Sequence, residues 1–351
     1  MKLLIITHTT PNTPTKDGMA LILYYIKDYL EKAHSIDIIA QDQFETIEAF
    51  TKELEPIIDE YDVIYLHGPN SLKLLPHFRH DRNIVAGVID VQSYKYSQLA
   101  ERESSTLQKR KWLKQQKYWE DFEKENLANV SHIIVGTEAD YNAIKKTAGS
   151  KPFVTAIPNG VDNEYFQPDA SIEKEHAIIF SGMLDQASHT QSILYFYKNI
   201  WPKIIDHDAT APKKWYIVGR DPSKKIMQLH KKDKRIIVTG FVPEVKEFLL
   251  RCKVFVSPLH MRSGIKNTVL EALACGLPVV GFRDACTGLE ASPIRKVATD
   301  LDFSNTVKKL LEDDAECARV GDQSRKYIIQ HHNWEEHSRT YEKVFTQASQ
   351  A

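Results

Sequence analysis

The stretch Ser257-Pro-Leu-His-Met-Arg-Ser-Gly-Ile-Lys-Asn-Thr-Val-Leu-Glu-Ala-Leu-Ala-Cys-Gly-Leu-Pro-Val-Val280 decides how the rest of the 351-residue chain is read. An apolar run, Val254–Ser257, breaks at Pro258, and a polar loop follows. The spacing then predicts a helix from about Ile265 to Cys275, stopped by Gly276 before Pro278 opens the next strand. A helix start offers unpaired backbone N–H groups and a positive dipole end, which suit a phosphate or diphosphate. Gly264 would let a ligand approach the backbone, while Lys266 and Arg262 add point and forked positive charge. Glu271 follows Gly264 by seven residues and Asn267 by four, a spacing that puts the three on one helix face. A carboxylate there could accept two hydroxyl hydrogen bonds from a ribose. A plain strand–loop–helix connection with surface charges fits the same residues, and spacing alone leaves both readings open.

Outward from this stretch, short apolar runs alternate with longer amphipathic ones. The first half predicts strands at Lys2–Thr7, Ile36–Ala40, Val63–His67, Ile84–Ile89, His132–Gly136 and Phe153–Ile157. Helical patterns lie between them at Ala20–Lys32, Glu45–Glu60, Ser71–Arg79, Ser105–Asn129 and Glu138–Thr147. The second half repeats the rhythm, with strands at Ala177–Ser181, Trp215–Val218, Ile236–Thr239, Val254–Ser257 and Pro278–Phe282. Its helices are expected at Gln191–Ile204, Glu244–Leu250, Thr268–Cys275 and Phe303–Leu311. Apolar strands of this length, separated by helices, indicate parallel sheets covered on both faces. The fold class is therefore α/β, as two tandem doubly wound Rossmann-like domains with a cleft between them. Domains are expected at 1–165 and 166–330, with 331–351 as a C-terminal helix packing back on the first. Asn163–Glu175, which contains Pro168 and shows no periodicity, reads as the linker.

The composition is that of an ordinary globular protein, 42% hydrophobic and 26% charged. A formal net charge of −1 argues against a dedicated nucleic-acid binder. Residues 1–165 carry 19 basic and 24 acidic side chains, and the remainder 27 and 23, a slightly basic second half that would suit an anionic ligand. Cys252, Cys275, Cys286 and Cys317 show no CxxC pairing and read as reduced, mostly buried thiols of a cytosolic chain. No signal peptide and no run of about 18 apolar residues is seen. A cytoplasmic location is expected.

Residues 250–282 resemble the nucleotide-binding segment of family 4 glycosyltransferases of the GT-B fold, in particular the bacterial exopolysaccharide type. Further stretches resemble the same family in the same order. They include Ile157-Pro-Asn-Gly-Val-Asp at the domain junction, Phe180-Ser-Gly-Met-Leu-Asp, Ile217-Val-Gly-Arg-Asp-Pro and Val238-Thr-Gly-Phe-Val at strand ends, and Trp334 before the crossing-back helix. In the first domain, Val88-Ile-Asp-Val-Gln-Ser-Tyr-Lys-Tyr and Ile134-Val-Gly-Thr-Glu-Ala-Asp resemble acceptor-domain landmarks. The resemblance implies sugar transfer from a nucleotide-diphosphate sugar, most readily a UDP- or GDP-sugar, to a glycan or lipid-linked acceptor. Retention of anomeric configuration, no cofactor and no metal are part of that implication.

Position by position, Glu271 matches the second glutamate of the family's Glu-x7-Glu signature, which usually holds the donor ribose, whereas the first is replaced by Ser263. The loop after the first donor-domain strand, Ser181-Gly-Met-Leu-Asp-Gln-Ala-Ser-His-Thr, lacks the Arg and Lys that many members use on the diphosphate. Lys266, with Arg262 and Arg220, is left to supply positive charge. Gly182 sits in that loop, and Gly264, Ile265 and Asn267 fall in the family's Gly-Ile-x-Asn segment. Phe241 and Val242 match the turn whose backbone contacts the nucleobase. Gly18 matches the Gly-rich loop that faces the donor phosphates. Lys266 and Asp90 are the catalytic candidates. Asp90 would contact an acceptor hydroxyl or, equally, cap its own loop.

Two features compete for attention. His331, His332 and His337 lack a metal-binding spacing and are expected to be solvent-facing histidines near a helix start. The stretch Lys109–Phe122 is basic and aromatic, with Trp112, Trp119 and Phe122 close to one helical face. That face reads as a core-facing stripe with a solvated basic flank, and a peripheral contact with an anionic membrane is the second reading. The rival to an enzyme is a non-catalytic GT-B-like partner subunit that binds a nucleotide sugar without transfer, supported by Ser263 and the missing Arg/Lys pair.

Overall fold

A computed structural model describes residues 1–8, 18–79, 82–103, 105–149, 152–205, 213–260 and 264–350. The chain divides into two compact units, one of residues 1–160, 264–265 and 334–350, the other of 161–260 with 266–333.

The first unit runs β1 (Lys2–Thr7), α1 (Gly18–Leu30), β2 (Ser35–Ala40), α2 (Ile47–Leu54), β3 (Val63–His67), α3 (Pro69–Leu72) and β4 (Ile84–Ile89). It continues through α4 (Gln92–Arg102), α5 (Thr106–Asn126), β5 (His132–Val135), α6 (Glu138–Thr147) and β6 (Phe153–Ala156). Its six strands are all parallel in the order β2-β1-β3-β4-β5-β6, so the order reverses between β1 and β3. Side chains alternate across this sheet. Leu3, Ile5, Val63, Tyr65, Val85 and Ile134 form one core, whereas Leu4, Ile6, Ile64, Leu66, Ala86 and Ile133 form the other. Such runs are apolar at nearly every position because both faces are covered.

The second unit runs β7 (Ala177–Ser181), α7 (Ala187–Asn199), α8 (Trp201–Ile204), β8 (Lys214–Val218), α9 (Lys224–Lys232), β9 (Ile236–Gly240) and α10 (Val245–Arg251). Then follow β10 (Val254–Ser257), α11 (Asn267–Ala274), β11 (Val279–Phe282), β12 (Arg295–Val297), α12 (Asp300–Glu312) and α13 (Asp314–His331). Its parallel sheet is ordered β12-β11-β10-β7-β8-β9, with the reversal between β10 and β7. Ile178, Phe180, Val254 and Val256 lie in one core with Phe196, Trp201 and Phe303. The last helix, α14 (Trp334–Ser349), belongs to the first unit. There Trp334 stacks on Tyr25 with ring centroids 4.8 Å apart, and Tyr341 and Phe345 lie in the core with Tyr65.

Several elements differ from the sequence reading. The helix expected over Glu45–Glu60 shortens to α2 and a separate 3-10 turn, Ile58–Glu60. The one expected over Gln191–Ile204 starts earlier and breaks before Pro202, giving α7 and α8. α4, α9, α13 and β12 were not expected at all. Asn163–Glu175 forms no helix or strand, and Arg325 fixes its start by donating to the carbonyls of Asn163 and Phe166 at 2.8 and 2.7 Å. All four cysteines are buried and free, with burial pushing each thiol pKa up.

Candidate functional site

In doubly wound sheets, ligands bind beyond the carboxyl ends of the strands, at the point where strand order reverses. In the second unit that point is the pair Ser181 and Ser257. Val254 and Phe255 pair with Ile178 and Ile179, and the same register carried two steps further sets Ser257 beside Ser181. Ser257 also pairs with Gly281 of β11. Both serines are buried, and among the described residues neither hydroxyl has a hydrogen-bond partner.

The loops beyond these ends are tied together by backbone. Gly182 N donates to Val218 O at 3.0 Å, Leu184 N to Arg220 O at 3.1 Å, and Gly219 N to Gly240 O at 3.2 Å. The approach is so close that a Cβ on Gly219 would overlap the Gly182 carbonyl oxygen. Glycine is required there by contact, whatever the ligand. Arg220 is exposed, its Nη2 3.4 Å from Met183 Sδ. Gly240 adopts φ +70°, leaving Phe241 exposed and Val242 half-buried at the turn.

α11 begins two residues later than the spacing suggested. Gly264 has φ +62°, and Lys266 is extended (φ −86°, ψ 107°) as the N-cap residue. Gly264 is therefore not on the helix face shared by Asn267 and Glu271, and a helix starting at Ile265 is corrected to one starting at Asn267. A lysine side chain has no acceptor to offer the first amides of α11. Gly264, Ile265, Lys266, Asn267 and Glu271 are all half-buried. Arg262 and Ser263 lie outside the described residues.

His189, in the first turn of α7, was not singled out from sequence. Its ring packs against Gly182, where a Cβ would lie 3.3 Å from Cε1, and its Nδ1 is 2.6 Å from Met183 O. A carbonyl only accepts, so Nδ1 carries the hydrogen and Nε2 keeps the lone pair. Burial holds its pKa below the ordinary value, and the Lys266 charge acts the same way. The loop without Arg or Lys thus has a neutral imidazole within electrostatic reach of Lys266.

In the first unit, Asp90 follows Ile89, whose φ of +63° is a strained conformation for a β-branched residue. The turn is held from three sides. Gly136 N donates to Ile89 O at 3.0 Å, Val91 N to Asp140 Oδ1 at 3.1 Å, and Gln92 Nε2 to Asp90 O at 3.0 Å. Asp90 itself is half-buried. Gly18 is the first residue of α1.

Two expectations are settled elsewhere in the chain. His332 is buried, not solvent-facing; it caps the end of α13, and its carbonyl accepts Val161 N at 3.0 Å. Trp119 is buried, Trp112 stacks on Tyr96 of α4 at 5.7 Å, and Phe122 packs on Trp119, so this aromatic stripe faces inward. Among the described residues no group of three or more His, Cys, Asp or Glu could hold a metal ion, and no helix is long and apolar enough to cross a membrane.

With two parallel six-stranded sheets of this kind, the fold is GT-B, the architecture of many glycosyltransferases. Residues 175–313, most of the second unit, match the family described as glycosyl transferases group 1. No curated protein sequence matches the chain. Among solved structures, the Anabaena protein HepE in complex with UDP superposes with a TM-score of 0.73 at 14% identity, covering 99% of this chain and 100% of that one. HepE has also been solved with UDP-glucose. Sucrose-phosphate synthase from Thermosynechococcus elongatus gives a TM-score of 0.75 at 16% identity, with 99% of both chains covered. A glycosyltransferase from Rickettsia africae gives 0.69 at 10% identity, covering 99% and 98%.

Proposed function

We propose that the chain is a glycosyltransferase that moves a sugar from a nucleotide-diphosphate sugar to a hydroxyl of a glycan or lipid-linked glycan, in bacterial cell-surface polysaccharide or glycoconjugate synthesis. The observation that carries this reading is the start of α11 beside the β7–β10 reversal. There Lys266 precedes a helix terminus whose positive end is suited to a diphosphate. The group 1 match over 175–313 supports the same chemistry. UDP-sugars are the first donors to test because HepE, of the same fold, was solved with UDP-glucose. GDP-sugars come next.

In this reading Glu271 holds the ribose, the Phe241–Val242 turn meets the base, and Gly182, Gly264, Ile265 and Asn267 let backbone and side chain close on the phosphates and sugar. Gly18 and Arg220 complete the donor contacts. As the C1–O bond to the diphosphate breaks, Lys266 and the α11 terminus stabilise the departing charge without a metal or cofactor, a preorganised electrostatic effect. The acceptor oxygen bonds to C1 from the face the diphosphate leaves, so configuration is retained, and its proton passes to a phosphate oxygen. Asp90 contacts the acceptor hydroxyl.

The location proposed is the cytoplasm, with peripheral contact at the inner membrane face through α5. Lys109, Arg110, Lys111, Lys114 and Lys117 are exposed, as are Leu107 and Leu113, and no acidic residue occurs from Thr106 to Trp119. Anionic lipid suits such a surface.

A thermal-shift series with UDP- and GDP-sugars tests the reading. A ligand at 100 times its Kd stabilises by about 2.7 kcal/mol. Stabilisation followed by donor hydrolysis or transfer supports the enzyme. Stabilisation with no turnover in any acceptor extract instead favours the non-catalytic partner subunit, for which the absence of Arg and Lys between Gly182 and His189 speaks. No shift with any nucleotide sugar overturns both.

A further inference from the structure

Three groups in the first unit form one continuous hydrogen-bonded chain. His67, the last residue of β3, has Nε2 3.0 Å from Met19 O in the first turn of α1. Its Nδ1 is 3.0 Å from the Tyr65 hydroxyl, and the Tyr65 ring meets that of Tyr341 on α14 edge-on, with centroids 6.1 Å apart. Tyr65 and His67 are 0 and 2% exposed, so solvent cannot substitute for a missing partner.

The direction of donation follows from the two ends. Met19 O can only accept, so His67 Nε2 carries a hydrogen. Burial holds the ring pKa down at about 4, leaving Nδ1 an acceptor at neutral pH. Tyr65 therefore donates to Nδ1. This single arrangement satisfies every member.

The backbone is shaped around the same chain. Gly68 adopts φ +82°, and a Cβ there would lie 3.1 Å from Met19 Sδ. A Cβ on Gly87 would overlap the Tyr65 hydroxyl. Two glycines, one just past β3 and one on β4, thus make room for the residues that the chain connects.

We propose that His67 is a positioning residue that fixes the first turn of α1, the turn opening with Gly18, with Tyr65 setting the direction of its ring hydrogen. Its importance for turnover rests on the glycosyl-transfer reading, in which Gly18 is a donor contact. The placement of the turn does not.

The test uses amide hydrogen exchange on the full chain, read over residues 18–26, together with ¹⁵N NMR of the His67 ring. His67→Phe should speed exchange of that segment about tenfold and leave the β7–α7 segment unchanged. His67→Gln, which can still donate to Met19 O, should recover part of the loss. Tyr65→Phe removes one oxygen with little risk to the fold, and should shift exchange more weakly in the same direction. The wild-type ring should be the neutral Nε2–H tautomer from pH 6 to 8. Exchange unchanged in both His67→Phe and Tyr65→Phe, or an Nδ1–H tautomer, overturns the proposal. If no nucleotide sugar is turned over while the exchange pattern is as expected, the positioning role is supported and the transferase reading alone is weakened.

Discussion

Glu123 of α5 accepts the backbone N–H of Ser93 at 3.1 Å, and its other carboxylate oxygen accepts the Ser93 hydroxyl. A side chain thirty residues away thus caps the start of α4, directly after the turn that presents Asp90. The N-cap residue itself, Val91, has no side chain able to do so. Asp140 takes the Val91 N–H, so two buried carboxylates anchor this turn.

Burial raises the Glu123 pKa to about 7, against the lowering effect of the Ser93 donors, with Glu120 adding a smaller upward push. A carboxyl raised in the folded state contributes stability that is fully present below its unfolded value near 4.5 and is lost as pH rises through about 7. Urea denaturation should therefore show wild type losing about 2 kcal/mol through this group between pH 5.5 and 8. Glu123→Gln should lose most of that slope. An identical pH dependence in the two proteins would refute the assignment.

Lys266→Ala should lower the transfer rate by about 10²-fold or more, because it removes charge facing the leaving diphosphate. Glu271→Gln should act mainly on donor affinity, raising the donor KM or Kd with a smaller effect on kcat. Steady-state kinetics and titration of the nucleotide distinguish the two. Unchanged constants in both variants would remove α11 from the site.

Gly219→Ala should be the most damaging small substitution at the β7–β8 loops, since its methyl would overlap Gly182 O. A loss of about 3 kcal/mol or more is expected, seen as a lowered Tm or as insoluble protein. Gly182→Ala need only push the His189 ring by a few tenths of an ångström, and should cost clearly less. Equal melting temperatures for wild type and Gly219→Ala would contradict the observed packing.

Vesicles containing anionic lipid should sediment the protein at low salt and release it at high salt. Replacing Lys109, Arg110, Lys111 and Lys114 by glutamate should abolish sedimentation without changing the melting temperature by more than about a degree, because these side chains are exposed. Sedimentation on neutral vesicles alone would exclude the proposed surface.

The strands were readable because both faces of each sheet are covered, so β1, β3, β4, β7 and β10 are nearly pure apolar runs. Elements stabilised by distant partners were not. α4 depends on Glu123, and α13 contains Gly321, which reads as a helix breaker until its approach to Gly276 is seen. β12, Arg295-Lys-Val297, is a three-residue charged edge strand with too little pattern to detect. The strand–loop–helix around Lys266 and Glu271 was legible from Pro258 and Gly276 on either side, but the start of α11 was not, because its N-cap is a lysine with no capping hydrogen bond. Lys266's neighbour His189 and the unpartnered Ser181 and Ser257 depend on strand register and on a neighbouring loop. The positive φ of Ile89 carries no sequence signature.

The first unit draws its core from both ends of the chain, and this bears on how the protein is made. Trp334, Tyr341, Val344 and Phe345 complete the face formed by Leu3, Ile5, Val63 and Tyr65. During synthesis this face remains uncovered until α14 leaves the ribosome, after the whole second unit has emerged. The second unit, drawn from residues within 161–333, can close first. The N-terminal sheet must wait with an apolar surface open, making the nascent chain most dependent on chaperones in the interval before its final helix arrives.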